Sequence, residues 1–307
     1  MHDPLRRPDP RESGMLVFAI PDVNRMEETK RHVAGAGALW HKSGLLAFER
    51  AAHAAARRAG AFIRSRYGDR QQVSFKSEVD LVTPVDREAE RLIVDTLLGA
   101  FPDHGMIAEE SAAQVGVDGY RWYVDPLDGT TNFAHAYPHF AVSIALAHDD
   151  DFLFGLVHDP LRDETFAATR GGGARLNGSP IAVSDTAALE RALVATGFPY
   201  DRRQHARHYL RFWEAVMARV QDVRRGGSAA LDLCYVACGR LDAFWESKLH
   251  PWDTAAGRLI VEEAGGRVTD FSAHPHQLAG DETAASNGRL HDDLLRALAS
   301  ASAERTD

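Results

Sequence analysis

Three consecutive apolar segments restrict the fold of this chain more than any other feature. They are residues 141–148 (AVSIALAH), 152–159 (FLFGLVHD) and 164–170 (ETFAATR), and only short polar turns separate them. Turns this short join antiparallel strands, because a parallel pair needs a crossover of about a dozen residues or more. Asn177-Gly178, further along, is the residue pair preferred in two-residue hairpin turns. The segments therefore predict an antiparallel meander that ends in a hairpin.

Helical and extended patterns alternate on both sides of this meander. Apolar residues at helical spacing predict helices, and short apolar runs between turn-forming residues predict further strands. Ser228 is the predicted N-cap of one helix, and Gly265-Gly266 ends another. The predicted helices are 45–67, 87–98, 209–220, 228–238 and 253–264, and the further strands are 121–124, 192–196 and 243–245.

This mixture predicts an α+β fold in which helices and strands form layers. The pattern divides the chain into an N-terminal extension (1–40), an N-terminal α+β half (41–183) and a C-terminal α/β half (184–300).

Charge and composition exclude several classes of protein. The formal net charge is −9, which is unfavourable for a nucleic-acid-binding surface. No apolar run approaches the roughly 20 residues of a membrane-spanning helix. The N-terminus lacks the apolar stretch of a secretory signal, so the expected location is the cytoplasm. The expected partners therefore include neither nucleic acid nor membrane.

Acidic side chains cluster beside turn-forming residues in separate parts of the chain. Asp125 and Asp128 follow an apolar strand, and Pro126 fixes the turn between them, so that both carboxylates converge beyond the strand end. Carboxylates and a main-chain carbonyl oxygen are the ligands of a hard divalent cation. Gly129 allows close backbone approach to a ligand. The other acidic segments are 80–86 (DLVTPVD), 109–111 (EES) and 252–253 (WD).

Each acidic segment alone has a simpler interpretation. An Asp-Pro-x-Asp-Gly sequence is an ordinary turn that faces water, Asp253 is a helix N-cap, and residues 83–86 begin a helix. It is the joint occurrence of the segments, in this order, that favours a shared site.

Together the segments resemble the inositol monophosphatase family over roughly residues 44–290. The family patterns are D-x-V-T-x-x-D, G-E-E-S, W-x-x-D-P-[IL]-D-G-T-x-N-F and W-D-x-A-[AG]-G-x-x-[IL]-x-x-E-A-G-G. They correspond here to DLVTPVD (80–86), AEES (108–111), WYVDPLDGTTNF (122–133) and WDTAAGRLIVEEAGG (252–266). One departure is Ala108, which replaces a glycine before the paired glutamates. The resemblance implies a layered α-β-α-β-α sandwich and Mg²⁺-dependent hydrolysis of a small phosphate monoester.

The resemblance also implies a set of metal ligands. Glu109, Asp125 and the Leu127 carbonyl would bind a first Mg²⁺, and Glu109 would help to place a third, more hydrated ion. The second Mg²⁺ would be bound by Asp125, Asp128 and Asp253.

Further residues of the implied site bind substrate or orient water. Asp86 and Thr130 would orient the water that Glu109 and the first metal activate. The main-chain N–H groups of Gly129 and Thr130 would bind the phosphate. The remaining implied substrate contacts are Asp128, Gly227, Ser228, Ala229 and, toward a ring hydroxyl, Glu246.

The expected substrate is a phosphorylated polyol or sugar, first of all inositol monophosphate. Histidinol phosphate, fructose 1,6-bisphosphate and a 3′-phosphoadenosine nucleotide remain alternatives, although Thr-Thr-Asn at 130–132 favours the inositol branch. A non-catalytic binding protein is a further alternative. The resemblance also predicts a homodimer and inhibition by Li⁺.

Three other features have simpler interpretations than a binding site. Cys234 and Cys238 lie in an apolar segment and are interpreted as packing residues, and a structural role is preferred for His250. Arg224-Arg225 is interpreted as surface charge, with attraction of a second anionic group as the alternative.

Overall fold

The computed structural model describes residues 42–69, 73–76, 80–149 and 151–303. Those from residue 45 onward form one compact unit. The predicted extension, residues 1–40, lies outside the described ranges. No described helix is both long enough and apolar enough to cross a membrane.

Helices and strands are distributed along these ranges much as the sequence predicts. The helices are α1 (Lys42–Arg66), α2 (Pro84–Ala100), α3 (Thr130–Ala134), α4 (Arg202–Met217), α5 (Ala229–Ala237), α6 (Pro251–Glu263) and α7 (His291–Ala303). The first strands are β1 (Ser74–Phe75), β2 (Leu81–Val82), β3 (Gly105–Ala108), β4 (Tyr120–Asp128), β5 (Ala141–His148), β6 (Asp151–Asp159), β7 (Glu164–Thr169), β8 (Gly173–Leu176) and β9 (Ser179–Pro180). The later strands are β10 (Leu193–Thr196), β11 (Asp222–Arg224), β12 (Ala243–Ser247), β13 (Arg267–Thr269) and β14 (Glu282–Ser286).

The larger sheet in the described ranges has its seven strands in the sequential order β3 to β9. β3 is parallel to β4, and every later pair is antiparallel. Leu176 lies opposite Ser179 at the end of this sheet, so Asn177-Gly178 forms the predicted hairpin turn. The predicted meander is confirmed.

A five-stranded sheet has the order β11-β10-β12-β14-β13. β10 is parallel to both of its neighbours, and β14 is antiparallel to both of its own. The larger sheet thus lies before residue 183 in the chain, and the five-stranded sheet lies after it.

Among the described residues, three buried cores separate the layers. One joins α1 and α2 to the larger sheet, a second contains α5 and α6 with strands of both sheets, and a third joins α4 and α7 to the five-stranded sheet. The order is therefore α-β-α-β-α, which confirms the predicted sandwich. Representative buried side chains are, in that order, Ile63, Ile93 and Trp122; Ala145, Leu233, Ile260 and Phe244; and Val194, Phe212 and Leu298.

Small residues on the larger sheet let α6 pack closely against it. In β5 the larger Ile144 and Leu146 belong to the core with α1 and α2, whereas Ala145 belongs to the core with α6. A Cβ added to Gly155 in β6 would lie 2.8 Å from the carbonyl oxygen of Ala256 in α6. Helix and sheet are therefore in backbone contact, which fixes the position of the α6 N-terminus.

Two predicted helix boundaries are wrong in an informative way. Helix α4 begins at Arg202 rather than at residue 209, because its exposed polar first half shows no apolar periodicity. Helix α6 begins at Pro251, and His250 is its N-cap, so the simpler interpretation of Asp253 as the N-cap is wrong. Asp253 is instead the third helical residue, and its side chain accepts a hydrogen bond from the N-cap backbone.

Candidate active site

The end of β4 presents two of the predicted acidic residues. The pairing of β4 with β5 is irregular between Asp125 and Asp128, where the chain turns toward α3. Asp125 is 2% exposed, and its Oδ1 accepts a hydrogen bond from Leu127 N at 3.0 Å. Gly129 follows with a φ of 94°, a left-handed conformation that glycine adopts without strain. A side chain there would also crowd the His139 carbonyl oxygen at 3.0 Å.

Asp128 is held by the first turn of α5. Its Oδ2 accepts hydrogen bonds from Ser228 Oγ at 2.6 Å and from Ala230 N at 2.8 Å. Ser228 is also the N-cap of α5, as predicted, and its Oγ accepts a bond from Leu231 N. The segment at 227–229, predicted to line the substrate pocket, is therefore bonded directly to the acidic end of β4.

Asp253 reaches the same region from the start of α6. Its Oδ2 accepts a hydrogen bond from His250 N at 2.7 Å, which fixes the carboxylate at the first helical turn. The His250 ring stacks on Trp252 with ring centres 4.9 Å apart. This packing agrees with the structural role preferred for His250.

Glu109 lies just after β3 and contacts a lysine. Lys76 Nζ is 2.8 Å from Glu109 Oε1 and 2.5 Å from Glu110 Oε1. Glu110 is in turn fixed through its main chain, since its N–H donates to Glu90 Oε2 at 2.7 Å.

Asp86 and Thr130 form the predicted pair. Thr130 Oγ1 lies 2.7 Å from Asp86 Oδ1, and also 3.0 Å from the Leu127 carbonyl oxygen. The other oxygen of Asp86 accepts bonds from the backbone N and the hydroxyl of Thr83, at 2.8 and 2.6 Å. Asp86 is fully buried. Because a hydroxyl has one hydrogen to donate, the shorter contact with the carboxylate is its preferred bond.

These residues meet in one cleft with a volume of about 290 Å³. The predicted residues that line it are Glu109, Asp125, Leu127, Asp128, Gly129, Thr130, Gly227, Ala229, Glu246 and Asp253. Asp86 and Ser228 are not in its lining, but each is hydrogen-bonded to a residue that is.

Burial and mutual repulsion raise the pKa values of the clustered carboxylates. Burial, followed by the charges of Glu109, Asp128 and Asp253, raises the pKa of Asp125 well above its usual range. Burial and the charges of Asp128 and Glu109 do the same to the pKa of Asp253. Burial also raises the pKa of Glu109 to about 7, although Lys76 acts in the opposite direction, and that of Asp128 to about 6. Such a cluster favours either bound protons or bound cations.

The oxygen donors fit a hard divalent cation, although they are not arranged as a finished metal site. In the described ranges, no three His, Cys, Asp or Glu side chains are already placed as ligands of one ion. Each of the four carboxylates uses one oxygen in a hydrogen bond or ion pair with the protein. Asp125, Glu109 and Asp253 each keep a second oxygen that accepts no hydrogen bond from a described residue. These oxygens would be the ones to bind a cation.

Some residues of this region were missed by the sequence reasoning. Lys76 was not predicted, since nothing marks a lysine four residues before Asp80 as a partner of Glu109. Asn132 lies within the segment WYVDPLDGTTNF (122–133), but the sequence predicted no role for it. Its Nδ2 donates to the carbonyl oxygens of His139 at 2.7 Å and Gly226 at 3.0 Å, so it joins α3 to the segment that precedes α5.

The cysteines and the arginine pair are placed as follows. Cys234 is buried in the core between the sheets, where burial raises the pKa of its thiol, and Cys238 is half-buried. The packing interpretation therefore accounts for both. Arg224 forms an ion pair with Asp222 at 2.5 Å, whereas Arg225 lines the cleft.

The layered sandwich and its acidic cleft are accompanied by clear similarity to known proteins. The profile of the inositol monophosphatase family matches residues 46–303. The chain belongs to this family.

Named relatives fall into two groups. The inositol-1-monophosphatase of Synechocystis sp. is 46% identical over 243 residues, which cover 78% of this chain and 85% of that protein. The Nus factor SuhB of Escherichia coli K12 is 46% identical over 245 residues, which cover 78% of this chain and 91% of that protein.

Solved structures similar to this chain include members of both groups. The SuhB protein of Bartonella henselae has a TM-score of 0.79 and 42% identity, covering 84% of this chain and 99% of that one. The inositol monophosphatase of Anabaena has a TM-score of 0.77 and 41% identity, covering 84% of this chain and 97% of that one.

Proposed function

We propose that this protein hydrolyses a small phosphate monoester, first of all inositol monophosphate, with Mg²⁺ as cofactor. The observation that carries the proposal is that Glu109, Asp125, Asp128 and Asp253, from three distant parts of the chain, line one cleft. A phosphate dianion repels both these carboxylates and a hydroxide nucleophile. The site therefore needs cations, and the acidic cluster is what would hold them.

The Mg²⁺ ions would be held by Glu109, Asp125, the Leu127 carbonyl oxygen, Asp128 and Asp253. When bound, they lower the pKa of a coordinated water and neutralise charge on the phosphate and the leaving oxygen.

The protein's own groups would orient the reactants. Thr130 donates its hydroxyl hydrogen to Asp86, so the lone pairs of Oγ1 are free to accept a hydrogen bond from the attacking water. The N–H groups of Gly129 and Thr130 lie at the start of α3, where no preceding helical carbonyl accepts from them, and they would bind phosphate oxygens. Ser228 and Ala230 fix Asp128 in the orientation shown. Glu246 would contact a hydroxyl of the alcohol.

Phosphate release from inositol 1-phosphate tests the proposal directly. We expect turnover with Mg²⁺, none with excess chelator, and a loss of more than about 100-fold in Asp253→Asn, since even residues that only support a metal ligand contribute about 10- to 100-fold. Asp95→Asn is the matched control, because Asp95 is exposed on α2 and pairs with Arg91 outside the cleft. Turnover that persists without divalent metal would contradict the mechanism.

The same assay decides among substrates. Histidinol phosphate, fructose 1,6-bisphosphate and a 3′-phosphoadenosine nucleotide would be compared with inositol 1-phosphate at equal concentration. Exclusive cleavage of a substrate that is not a polyol would refute the inositol assignment while leaving the phosphatase chemistry intact.

The name Nus factor, carried by several relatives, favours a second function besides catalysis. The two roles can be separated by replacing the natural gene with one that encodes the Asp253→Asn variant. If this variant supports growth as the unchanged gene does while lacking turnover, the physiological role is binding. If it behaves like a deletion, catalysis is required.

Two further properties follow from family membership as proposals. The protein would form a homodimer, which a strictly monomeric mass in solution would contradict. It would also be inhibited by Li⁺ competing for a Mg²⁺ position, and full activity in tens of millimolar Li⁺ would exclude this.

A further inference from the structure

Two arginines line the same cleft as the acidic cluster. Arg225 lies two residues before Gly227, the start of the segment predicted to line the substrate pocket, and Arg202 lies in the first turn of α4. Arg225 lines the cleft together with Glu246, the residue expected to contact the alcohol, and its charge lowers the pKa of Glu246. The cleft therefore combines metal-binding carboxylates with a cationic wall.

Neither arginine is neutralised by an ion pair within the described ranges. This distinguishes them from the other cations nearby, because Lys76 pairs with Glu109, Lys248 with Asp201 at 2.5 Å, and Arg224 with Asp222. Among the described residues, the Arg202 guanidinium group makes only a long hydrogen bond of 3.4 Å, to the Pro199 carbonyl oxygen. Both guanidinium groups are thus available to a ligand.

The two guanidinium groups also repel each other. Burial and then the positive charge of Arg225 lower the pKa of Arg202. Two like charges beside one cavity are unfavourable until an anion binds between them. The planar fork of arginine suits carboxylate and phosphate oxygens.

A purely structural role explains only one of the two residues. Arg225 lowers the pKa of Glu246 and of Asp232, so its charge partly compensates those buried acids. Arg202 is not among the charges that act on either acid. Charge compensation therefore leaves Arg202, and its proximity to Arg225, unexplained.

We propose that the cleft also accepts substrates that carry, besides the phosphate that is released, a second anionic group that Arg202 and Arg225 bind. This group is a phosphate or a carboxylate on the alcohol portion, and the inference rests on the proposed phosphatase function. It makes these arginines specificity-determining residues, which favour a doubly anionic substrate over its singly anionic counterpart.

Two matched substrate pairs test for the second anion. Fructose 1,6-bisphosphate and fructose 1-phosphate differ by a distal phosphate. 3-Phosphoglycerate and glycerol 3-phosphate differ by a carboxylate in place of a hydroxymethyl group. We expect the doubly anionic member of at least one pair to have a kcat/KM at least about tenfold higher, since charge-assisted bonds are the strong ones. A preference within the first pair identifies phosphate, and one within the second identifies carboxylate.

Charge-removing variants assign the preference to the arginines. Arg202→Gln and Arg225→Gln should each reduce the kcat/KM ratio of the preferred pair by about tenfold or more, mainly through KM. Arg203→Gln and Arg224→Gln are the matched controls, because each removes the same charge one residue away and neither residue lines the cleft. These controls should leave the ratio unchanged.

The outcomes separate this inference from the proposed function. If inositol 1-phosphate is hydrolysed but neither pair shows a preference, or if the two cleft variants behave like their controls, the second anionic group is refuted. If no phosphate ester is hydrolysed, the phosphatase proposal fails, and this inference fails with it.

Discussion

The hydroxyl of Ser228 donates a hydrogen bond of 2.6 Å to Asp128 Oδ2 across 100 residues of sequence. The same oxygen accepts from Ala230 N at 2.8 Å, so the first turn of α5 fixes a carboxylate at the end of β4. The bond therefore joins the helical layer between the sheets to the acidic cluster. One side chain supports both the fold and the candidate site.

Replacing this serine should affect stability and activity together. Ser228→Ala removes an N-cap and a charge-assisted hydrogen bond, and we expect the free energy of unfolding to fall by about 1–3 kcal/mol. Urea denaturation measures this loss, and phosphate release should fall in parallel. Ser300→Ala is the control, since the Ser300 hydroxyl only bonds the Ala297 carbonyl within α7. An equal loss in both variants would show that the bond to Asp128 contributes nothing.

Thr130 allows a test of the water-orienting pair. Thr130→Val keeps the shape but loses the hydroxyl bonded to Asp86, and we expect kcat to fall by about 100-fold, as for the loss of a positioned proton-transfer group. Thr130→Ser keeps the hydroxyl and should retain most of the activity. If valine and serine are equivalent, the hydroxyl does not orient the nucleophile.

The raised pKa values predict how the metal-free protein responds to pH. Burial raises the pKa of Glu109 from 4.5 to about 7, so the folded state binds this proton more tightly than the unfolded state does. The resulting stabilisation is present below pH 4.5 and is lost as the pH rises through 7.

A variant separates this effect from the titration of the histidines. Buried histidines oppose the trend, since burial lowers the pKa of His139 to about 4. Glu109→Gln removes the glutamate contribution and also the repulsion that raises the pKa values of Asp125 and Asp253, which changes stability in the same direction. In urea denaturation with chelator, the variant should gain stability relative to the natural protein as the pH rises from about 5 to about 8. A difference that is independent of pH would contradict the raised pKa.

Metal binding should appear as a thermal shift that needs no turnover. Mg²⁺ that binds the folded protein alone raises Tm, and protons compete for the same carboxylates. We expect the shift to be larger at pH 8 than at pH 5, and small in Asp253→Asn. Asp95→Asn should shift as the natural protein does. An equal shift in all three proteins would place the ion outside the cleft.

The parts of the site that could be predicted from sequence are those set by local chemistry. Asp125 and Asp128 lie at the end of an apolar strand, and Gly129 marks the turn beyond it, so their convergence is a property of neighbouring residues. The family resemblance then indicated which acidic residues, distant from one another in the sequence, belong to the same site. Ser228 was recognised as a cap for the same local reason.

Contacts between distant residues had no such signal. The bonds from Lys76 to Glu109 and from Asn132 to the Gly226 carbonyl depend on the packed layers, not on spacing along the chain. The position of Arg202 in the cleft was not predicted. The exposed first half of α4 shows no apolar periodicity, so the start of this helix was placed too late in the sequence. The periodicity of apolar residues indicates which face of an element is buried. It therefore does not reveal exposed elements that contribute charged side chains to a site.

Gly155 provides a last test, of how the sheet positions Asp253. A Cβ at this position would lie 2.8 Å from the Ala256 carbonyl oxygen, and backbone atoms cannot rotate away as a side chain can. Gly155→Ala should therefore push α6 from the sheet and lower the free energy of unfolding by about 1–3 kcal/mol. Because α6 carries Asp253, the Mg²⁺-induced shift in Tm should also decrease. Gly99→Ala is the control, since no atom lies within 4 Å of the added Cβ and alanine favours the helix. If Gly155→Ala lost stability but kept the full metal response, the close contact of helix and sheet would serve folding alone.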